Sequence, residues 1–349
     1  MEMNNMQNND NSVRDTLQRP VRDLRISVID ACNFRCTYCM PIEKYPDYYE
    51  FMRKGDRLSF EEITRIARQF VALGVVKIRL TGGEPLLRKN LGELIYQLRE
   101  IEGLEDLNLT TNGYWLAEQA TELRQAGLHR LNLSLDSLDD EVFGRITGRN
   151  KGGVERILDG LHAAHEAGFA PIKVNVVVQR GVNDEGLLDM VEFFRNTGHI
   201  LRFIEYMDVG NLNEWEQDEV VPYQEIVDRI AQVHPIEAVP PNYEGEVARR
   251  FRLTDGSAEL GFVSSVSKPF CGDCHRARLS ADGKLYTCLF ASKGHDLRQL
   301  LQDGATDDEL HTAIADIWQA RDDRYSELRA KHRADTNADP KVEMFAIGG

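Results

Sequence analysis

Short apolar runs alternate with longer amphipathic segments from residue 24 to about residue 233. The runs have the length of buried strands, whereas the longer segments repeat their apolar positions at helical spacing. The pattern therefore predicts six strand-then-helix units. The predicted strands span residues 24–29, 75–80, 106–110, 130–134, 172–178 and 201–206, and the predicted helices span residues 60–73, 90–101, 116–126, 152–167, 185–196 and 223–233.

Six such units in series indicate an α/β fold with a parallel sheet and right-handed crossovers. No G-x-G-x-x-G nucleotide fingerprint follows a predicted strand. Its absence from the sequence favours an incomplete (βα)6 barrel of the TIM type over a doubly wound sheet. The alternation alone leaves both architectures open.

The pattern changes at both ends of the chain. Residues 1–20 are rich in asparagine and poor in large apolar residues, so we expect a flexible tail. After residue 235, a proline-rich stretch, a hairpin pattern over 249–264 and a final helix from Thr306 to about residue 332 replace the regular units. These changes predict a barrel domain over 21–235 and a second domain over 236–349.

Composition narrows the function classes. The 42 lysines and arginines against 57 aspartates and glutamates give a net charge of −15, which argues against a surface that binds nucleic acid. No segment has the roughly 18 consecutive apolar residues of a membrane helix, and no signal peptide precedes the first strand. We therefore expect a cytoplasmic protein with neither a nucleic-acid nor a membrane partner.

The six cysteines fall into two short stretches. Cys32, Cys36 and Cys39 follow the first predicted strand at C-x3-C-x2-C spacing. In a reducing compartment such thiols are metal ligands or redox centres before they are disulfides. Structural zinc normally has four protein ligands, so three cysteines favour an iron–sulfur cluster with one iron left open.

This first motif, with the aromatic Tyr38 before its last cysteine, resembles the signature of the radical S-adenosylmethionine (SAM) enzymes. The resemblance implies a 4Fe–4S cluster whose open iron binds SAM and whose reduction yields a 5′-deoxyadenosyl radical. A T-G-G-E-P segment at 81–85 looks like the family's SAM-binding motif. Polar or glycine-rich residues also end other predicted strands, which is the edge where parallel barrels place active sites.

Cys271, Cys274 and Cys288 form a second set at C-x2-C-x13-C spacing. A zinc ribbon is the main alternative here, because a C-x2-C knuckle serves both chemistries. The adjacent His275 is disfavoured as a fourth ligand, since neighbouring residues rarely face the same metal. Three cysteines in each of the two sets favour a second 4Fe–4S cluster with an open iron.

From about Arg25 to the C-terminus, the sequence resembles the GTP 3′,8-cyclase family of radical SAM enzymes, which perform the first step of molybdenum cofactor biosynthesis. The resemblance rests on LRISVIDACNFRCTYCMP, KIRLTGGEPLLR, TTNGY, LNLSLDSLD, KVNVVV, LRFIEYM, FCGDCHRARLS and the final Gly348-Gly349. It implies a lyase that cyclises GTP by abstraction of H-3′ and attack of C3′ on guanine C8. It also implies that a C-terminal iron–sulfur domain closes the mouth of the barrel.

The same resemblance assigns ligands to residues of this sequence. Arginine suits a triphosphate because its planar fork donates several hydrogen bonds to phosphate. The implied residues are Tyr38, Gly83, Ser134 and Met207 for SAM; Arg25, Arg79, Thr110, Lys173, Arg276, Ala277 and Arg278 for GTP, with Arg202 as a further candidate; and Arg276, Arg278, Gly348 and Gly349 for catalysis. His275 stands where related sequences often carry asparagine.

The implied partners are GTP as substrate, a reductive electron donor, and cyclic pyranopterin monophosphate synthase as the next enzyme, with the chain a monomer or homodimer. Three alternatives stay open: a protein with two structural zinc ions, an iron–sulfur electron carrier, and a radical enzyme that modifies a peptide. The strand-end motifs argue against the zinc protein. The Arg-x-Arg segment at 276–278 and the final glycines argue against the peptide-modifying enzyme.

Overall fold

The computed structural model describes residues 12–149, 153–243, 245–334 and 339–348. The strands are β1 Asp23–Ser27, β2 Lys77–Thr81, β3 Asp106–Thr111, β4 Arg130–Ser134, β5 Lys173–Val178, β6 Ile200–Glu205, β7 Ile236–Val239, β8 Arg249–Leu253, β9 Glu259–Val263, β10 Arg276–Leu279, β11 Lys284–Tyr286 and β12 His295–Asp296. The helices are α1 Phe60–Ala72, α2 Leu91–Arg99, α3 Leu116–Ala126, α4 Asp140–Thr147, α5 Gly153–Glu166, α6 Leu187–Phe194, α7 Tyr223–Ala231, α8 Leu297–Gln302, α9 Asp307–Gln319, α10 Arg329–Ala334 and α11 Met344–Ile347. Among the helices of these described ranges, none combines the length and the apolar character that crossing a membrane requires.

One sheet runs through the molecule in the order β12-β11-β10-β1-β2-β3-β4-β5-β6-β9-β8-β7. Strands β1 to β6 pair in chain order and in parallel. Strand β10 adds in parallel to β1, and β9 adds in parallel to β6, so the C-terminal region extends the parallel sheet on both sides. Within the described part of the chain, the outermost strands β7 and β12 do not pair with each other. The predicted α/β fold with an incomplete parallel barrel is confirmed.

Side chains alternate between the two faces of each strand, as the pleat of a sheet requires. In β1, Leu24 and Ile26 are fully buried in the hydrophobic core, where Phe70 of α1 also packs. The intervening Arg25 faces the other side of the sheet. Helix α1 begins at a capping box that Ser59 forms with the third helical residue. One face of the sheet therefore packs under helices, and the other is left for polar side chains.

Two predictions about the ends of the chain are wrong. Of the flexible tail predicted over residues 1–20, residues 1–11 lie outside the described residues, and residues 12–20 are packed: Asp15 and Arg19 are each only 2 % exposed, and Arg14 forms a bridge with Pro20. The helix that begins at 307 ends at 319, not near 332, because Arg321 turns into the interior to bond Asp15. The unpredicted elements of the described structure are helices α4, α8, α10 and α11 and strands β7, β10, β11 and β12.

Candidate active site between two cysteine loops

The first cysteine loop follows β1 and is held both by its own residues and by other parts of the chain. The Cys39 N–H donates to the Cys36 carbonyl at 2.9 Å, which closes the turn between them. Arg35, only 9 % exposed, donates from Nη1 to the Cys32 carbonyl at 2.8 Å and from Nε to the Tyr45 carbonyl at 2.6 Å. One buried guanidinium thus bonds both flanks of the loop. The Arg35 and Thr37 N–H groups also donate to the Thr147 and Ile146 carbonyls at 2.8 and 2.9 Å, so the end of α4 supports the loop as well.

The T-G-G-E-P segment packs directly against this loop. The Gly83 N–H donates to the Ile29 carbonyl at 2.7 Å, and the Glu84 N–H donates to the Ala31 carbonyl at 2.9 Å. A Cβ atom on Gly83 would lie 2.3 Å from the Ala31 carbonyl oxygen, so only glycine permits this approach. The end of β2 is thus fastened to the backbone just before Cys32.

Glu84 connects the ends of β2 and β3 and, through Asn112, reaches the first cysteine. Its carboxylate accepts from Thr111 Oγ1 at 2.7 Å and from the Asn112 N–H at 2.8 Å. Asn112 Nδ2 lies 3.8 Å from Cys32 Sγ, a weak donation to the sulfur. Burial raises the pKa of Glu84 to about 7, although its hydrogen bonds favour the charged form. Both residues stand in the sequence motifs, but the motifs do not reveal this connection.

Tyr38 is fixed by a carboxylate that the sequence reasoning missed. The Tyr38 hydroxyl donates to Asp136 Oδ2 at 2.7 Å, and Asp136 Oδ1 accepts from the Val177 N–H at 2.8 Å. Burial raises the pKa of Asp136 to about 6. Its signal in the sequence is its place two residues after Ser134, at the carboxyl end of β4. Asp136 therefore ties the first cysteine loop to β4 and β5.

The four residues predicted for SAM follow the ends of four strands. Tyr38 lies in the loop after β1, Gly83 follows β2, Ser134 ends β4 and Met207 comes two residues after β6. Because parallel strands end at the same edge of a sheet, the fold brings these positions to one side. This is the edge at which the first cysteine loop lies.

The second cysteine loop lies at the opposite edge. Strand β10 runs parallel to β1 with Arg276 in register with Asp23, so Cys271 and Cys274 precede the amino end of β10. Strand β11 returns antiparallel, and Cys288 follows it at the same edge. The two loops are separated by the five residues of β1, a length on the order of 15 Å.

The end of the chain reaches the carboxyl edge instead. Ile347 is fully buried there, and the Gly348 carbonyl accepts a hydrogen bond from Arg278 Nη1. Gly348 has φ of +74°, and a Cβ atom on it would lie 2.2 Å from Thr81 Cγ2. The backbone conformation and the lack of space for a side chain therefore both require glycine. The predicted closure of the mouth is thus made by the terminal segment, whereas the second cysteine loop lies at the amino edge. Gly349 lies outside the described residues.

Both sets of thiols fit iron–sulfur clusters by the chemistry of their donors. All six cysteines are free and half-buried. Burial and the charges of Cys32 and Cys39 raise the pKa of Cys36 well above its usual value, so these sulfurs are close enough to repel each other as thiolates. Among the described residues, no three His, Cys, Asp or Glu side chains are placed to share a single metal ion. Two sets of three soft thiolates suit iron–sulfur clusters, which cysteine sulfurs hold.

The electrostatic environment differs between the loops. Burial raises the pKa of the Cys274 thiol, but Arg276 and Arg321 outweigh burial and lower this pKa to about 6. Arg276 Nη2 lies 3.4 Å from Cys274 Sγ. In the first loop, burial and the nearby Glu84 raise the pKa of Cys32 to about 12. The effect is local to Cys274, since burial and the nearby Asp323 raise the pKa of Cys288 in the same loop to about 12.

Arginines occupy the interior face between the two loops. Arg25 of β1 is in register with Arg79 of β2 and with Arg278 of β10, so three guanidinium groups lie on one face of neighbouring strands. Burial and the neighbouring arginines lower the pKa of Arg25 well below its usual value. A row of buried like charges favours the binding of an anion, which would pair with them.

The cationic surface continues across the sheet. Burial and the charge of Arg202 lower the pKa of Lys173 to about 7, and burial with Arg79 lowers the pKa of Arg202 to about 10. Within the described residues, Arg25 Nε, Arg202 Nε and Thr110 Oγ1 are buried without a hydrogen-bond partner. Because buried polar atoms are normally paired, these atoms indicate that a polar ligand binds here.

Ala277 differs from the other residues predicted for GTP. It is in register with Leu24 and fully buried. Its side chain therefore faces the hydrophobic core, on the opposite side from Arg276 and Arg278. Any contact of Ala277 with a ligand in the interior would come from its backbone.

Two family profiles match consecutive parts of the chain. The radical SAM superfamily matches residues 26–194, and Molybdenum Cofactor Synthesis C matches residues 199–327. Among solved structures, Streptococcus suis SuiB bound to S-adenosylmethionine has a TM-score of 0.54 at 15% identity, covering 89% of this chain and 66% of that chain. This likeness shows the fold alone.

Curated relatives match nearly the whole chain. The GTP 3′,8-cyclase of Xanthomonas axonopodis pv. citri is 54% identical over 97% of this chain and 99% of its own length. The GTP 3′,8-cyclases of Acidothermus cellulolyticus and Staphylococcus epidermidis are each 49% identical over 97% of this chain and 99% of theirs. Identity at this level over almost the full length shows that the chain belongs to the GTP 3′,8-cyclase family of the radical SAM superfamily.

Proposed function

We propose that this chain catalyses the radical cyclisation of GTP to (8S)-3′,8-cyclo-7,8-dihydroguanosine 5′-triphosphate, the first step of molybdenum cofactor biosynthesis. The observation that carries the proposal is the row of arginines between two three-cysteine loops at opposite ends of β1 and β10. Such a site offers a redox centre at each end and cations for a triphosphate between them. The near-complete match to GTP 3′,8-cyclases supports the same reaction.

The cofactors are two 4Fe–4S clusters and SAM. When bound, the first cluster and SAM supply the one-electron chemistry that converts SAM to methionine and a 5′-deoxyadenosyl radical. The residues that would hold the clusters are Cys32, Cys36 and Cys39 for the first and Cys271, Cys274 and Cys288 for the second. The residues that would line the SAM site are Tyr38, Gly83, Ser134 and Met207.

The interior cations would bind the triphosphate. Arg25, Arg79 and Arg278 can each offer a planar fork of donors to phosphate oxygens, while Lys173 supplies a compact charge. Binding an anion here pairs charges that otherwise repel each other at close range. The Thr110 hydroxyl, which is buried without a partner in the described structure, would add a hydrogen bond.

The reaction then depends on how the chain orients GTP. With GTP held between the loops, its ribose would face the SAM residues, where bound SAM would supply the abstraction of H-3′. The resulting C3′ radical would add to guanine C8, and one electron from the proposed reductive donor, with one proton, would complete the product. Arg276 and Arg278 would hold the nucleotide during these steps, and Gly348, bonded to Arg278, would help to close the site against water.

The test is anaerobic incubation of the reconstituted protein with GTP, SAM and dithionite, followed by mass analysis of the products. We expect equal amounts of 5′-deoxyadenosine and a product with the mass of GTP that is distinct from GTP. Arg25→Gln should lose this product, whereas Arg250→Gln, on β8 and paired with Glu259, is the matched control. 5′-Deoxyadenosine formed without any change in GTP would refute the substrate and leave the reaction class standing.

Two further proposals concern the enzyme that uses the product and the donor that reduces the first cluster. We propose that cyclic pyranopterin monophosphate synthase acts on the product and that a separate one-electron donor reduces the first cluster. The cytoplasmic location, the oligomeric state and the domain boundary near residue 235 stay predictions. The shared sheet, in which β9 pairs with β6, means that any two domains would be joined by backbone hydrogen bonds.

A further inference from the structure

Residues 12–20 and the segment after α9 meet beside the second cysteine loop, and the proposed reaction uses neither. Three of their charged side chains are almost fully buried: Asp15 and Arg19 at 2 % exposure and Arg321 at 4 %. Burial of ionic groups is costly unless their partners and hydrogen bonds are well placed. The burial of these three charged groups beside the second cysteine loop therefore indicates that they hold a neighbouring segment in place.

Asp15 joins the two arginines. Its Oδ2 atom lies 2.5 Å from Arg19 Nε and 3.2 Å from Arg321 Nη1. Its Oδ1 atom accepts from the backbone N–H groups of Leu17 at 3.0 Å and of Arg19 at 2.9 Å. With both oxygens bonded, the carboxylate fixes the two guanidinium groups in one orientation.

Each arginine then donates to the backbone of one cysteine. Arg19 Nη1 donates to the Cys271 carbonyl at 2.7 Å, and Arg321 Nη1 donates to the Cys274 carbonyl at 2.7 Å. Both contacts are shorter than the loop's own hydrogen bond, from the Cys274 N–H to the Cys271 carbonyl at 3.2 Å. The loop is therefore held mainly from outside, by residues about 250 and 47 positions away along the chain.

The two supporting segments also hold each other. Trp318 Nε1 donates to the Arg19 carbonyl at 3.1 Å, and Thr16 Oγ1 donates to the Arg321 carbonyl at 2.7 Å. Arg19 Nη2 is buried and has no hydrogen-bond partner in the described part of the chain.

We propose that Asp15, Arg19 and Arg321 form a clamp that positions the second cysteine loop for its iron–sulfur cluster. The inference rests on the proposed second cluster. It makes these three residues positioning residues, since they act through the backbone of Cys271 and Cys274. It also makes residues 12–20 part of the cluster site.

The test compares Arg19→Met and Arg321→Met with Arg65→Met after anaerobic reconstitution. Arg65 likewise joins two distant parts of the chain, through Asp307 of α9 and the Ala305 carbonyl. We expect the clamp variants to keep about half of the wild-type iron, with the electron paramagnetic resonance signal of the first cluster kept and that of the second lost. The Arg65 variant should keep both signals.

A second readout uses the metal-free protein. Alkylation of each cysteine is followed by mass spectrometry, and in the clamp variants we expect Cys271, Cys274 and Cys288 to react about tenfold faster, because the loop opens more often. Cys32 and Cys36 should react at their wild-type rates. Wild-type iron content and alkylation rates would overturn the clamp. Loss of both clusters with faster alkylation of both sets would overturn it too, because the role would then be general folding.

If Arg19→Met does not fold, Arg19→Lys tests the clamp in its place. Lysine keeps a charge beside Asp15, but its single ammonium cannot copy the fork that also reaches the Cys271 carbonyl. We expect a folded protein with intermediate occupancy of the second cluster, and wild-type occupancy would overturn the clamp alone. A wild-type chain that takes up only the first cluster would instead refute the proposed function, and the clamp would fall with it.

Discussion

The two cysteine loops provide the same number of ligands but are supported differently. The first loop has an internal support, because Arg35 stands between its cysteines and bonds the carbonyls of Cys32 and Tyr45, and it is also fastened to α4 and to Asp136. The second loop depends on Arg19 and Arg321, which lie near opposite ends of the chain. The spacing of cysteines therefore identifies a ligand set, but it does not reveal what holds that set in position.

The loops also differ in the charges around them. Burial and the charges of Cys32 and Glu343 raise the pKa of Cys39 in the first loop, whereas arginines lower the pKa of Cys274 in the second. SAM carries a positive sulfonium group and GTP carries a polyanion. A cysteine beside cations, as Cys274 is, thus suits the end of the site nearer to the polyanion.

The largest expected effect comes from removing one cysteine from each loop in turn. Cys36→Ala should abolish both 5′-deoxyadenosine and the cyclised product, because it removes a ligand of the cluster that would bind SAM. Cys274→Ala should abolish the cyclised product while 5′-deoxyadenosine still forms. Chromatographic quantification of both products in the same reaction checks this division.

One outcome would contradict this division of roles between the two loops. If Cys274→Ala also stopped 5′-deoxyadenosine formation with the first cluster's resonance signal intact, the second loop would be needed for SAM cleavage itself. The functional contrast between the loops would then be wrong, although their structural contrast would stand.

The second-largest effect is expected from Arg276, a cation that lies beside Cys274 of the second loop. Arg276→Ala should lower kcat/KM for GTP roughly 100-fold or more, a typical loss for one charged donor in a preorganised site. Both clusters should remain, because the carbonyl contacts of the second loop come from Arg19 and Arg321. Arg252→Ala, which removes an exposed ion pair with Glu237, should leave kcat/KM unchanged.

Iron analysis of the Arg276 variant separates the two possible roles of this residue. Full iron with lost GTP turnover places Arg276 at the substrate. Loss of the second cluster would make its contact with Cys274 Sγ at 3.4 Å a structural one, and the second loop would then have three supporting arginines instead of two.

A smaller effect is expected from the arginine inside the first loop. Arg35→Met should lower the free energy of unfolding of the metal-free protein by about 2 kcal/mol, because buried carbonyl groups lose a charged donor. Arg195→Met, whose partners Glu192 and Asp255 are exposed, should change it by less than about 1 kcal/mol. Urea unfolding measures both. An equal loss in the two variants would mean that the first loop is not supported by Arg35.

The contrast between the loops also explains which parts of the structure could be predicted from the sequence. The period of the apolar positions predicts all six barrel strands, and C-x3-C-x2-C predicts the first ligand set, because these signals are local. The arginine that supports the first loop lies inside that same motif. Local information was therefore enough to identify the ligands of that loop and its internal arginine, although not its bonds to α4 and Asp136.

The support of the second loop could not be predicted in this way. Asp15 stands in an asparagine-rich segment whose composition predicts a tail, and Arg321 lies in a stretch that continues a helical pattern. Each becomes buried only because the fold brings the two ends of the chain together. Asp136 and Asn112 were missed for a related reason: their partners, Tyr38 and Cys32, are 98 and 80 positions away.

The smallest effect tests how far the cationic environment of the second loop extends across the sheet. Burial and Arg202 lower the pKa of Lys173 from 10.5 to about 7 in the substrate-free protein. Between these pH values the unfolded chain binds a proton that the folded chain does not, so Lys173 makes the folded state more stable as pH rises through this range. A bound triphosphate favours the charged ammonium and should raise this pKa again.

GTP binding should therefore take up a proton above pH 7, and the affinity for GTP should fall by up to about tenfold per pH unit as pH rises above that value. Calorimetry of GTP binding at pH 8, in two buffers with different ionisation enthalpies, measures this uptake under anaerobic conditions. Lys173→Met should remove it, and Lys293→Met, at an exposed ion pair with Asp339, should retain it. Proton uptake that persists in the Lys173 variant would contradict this prediction, because the titrating group would then lie elsewhere than on β5.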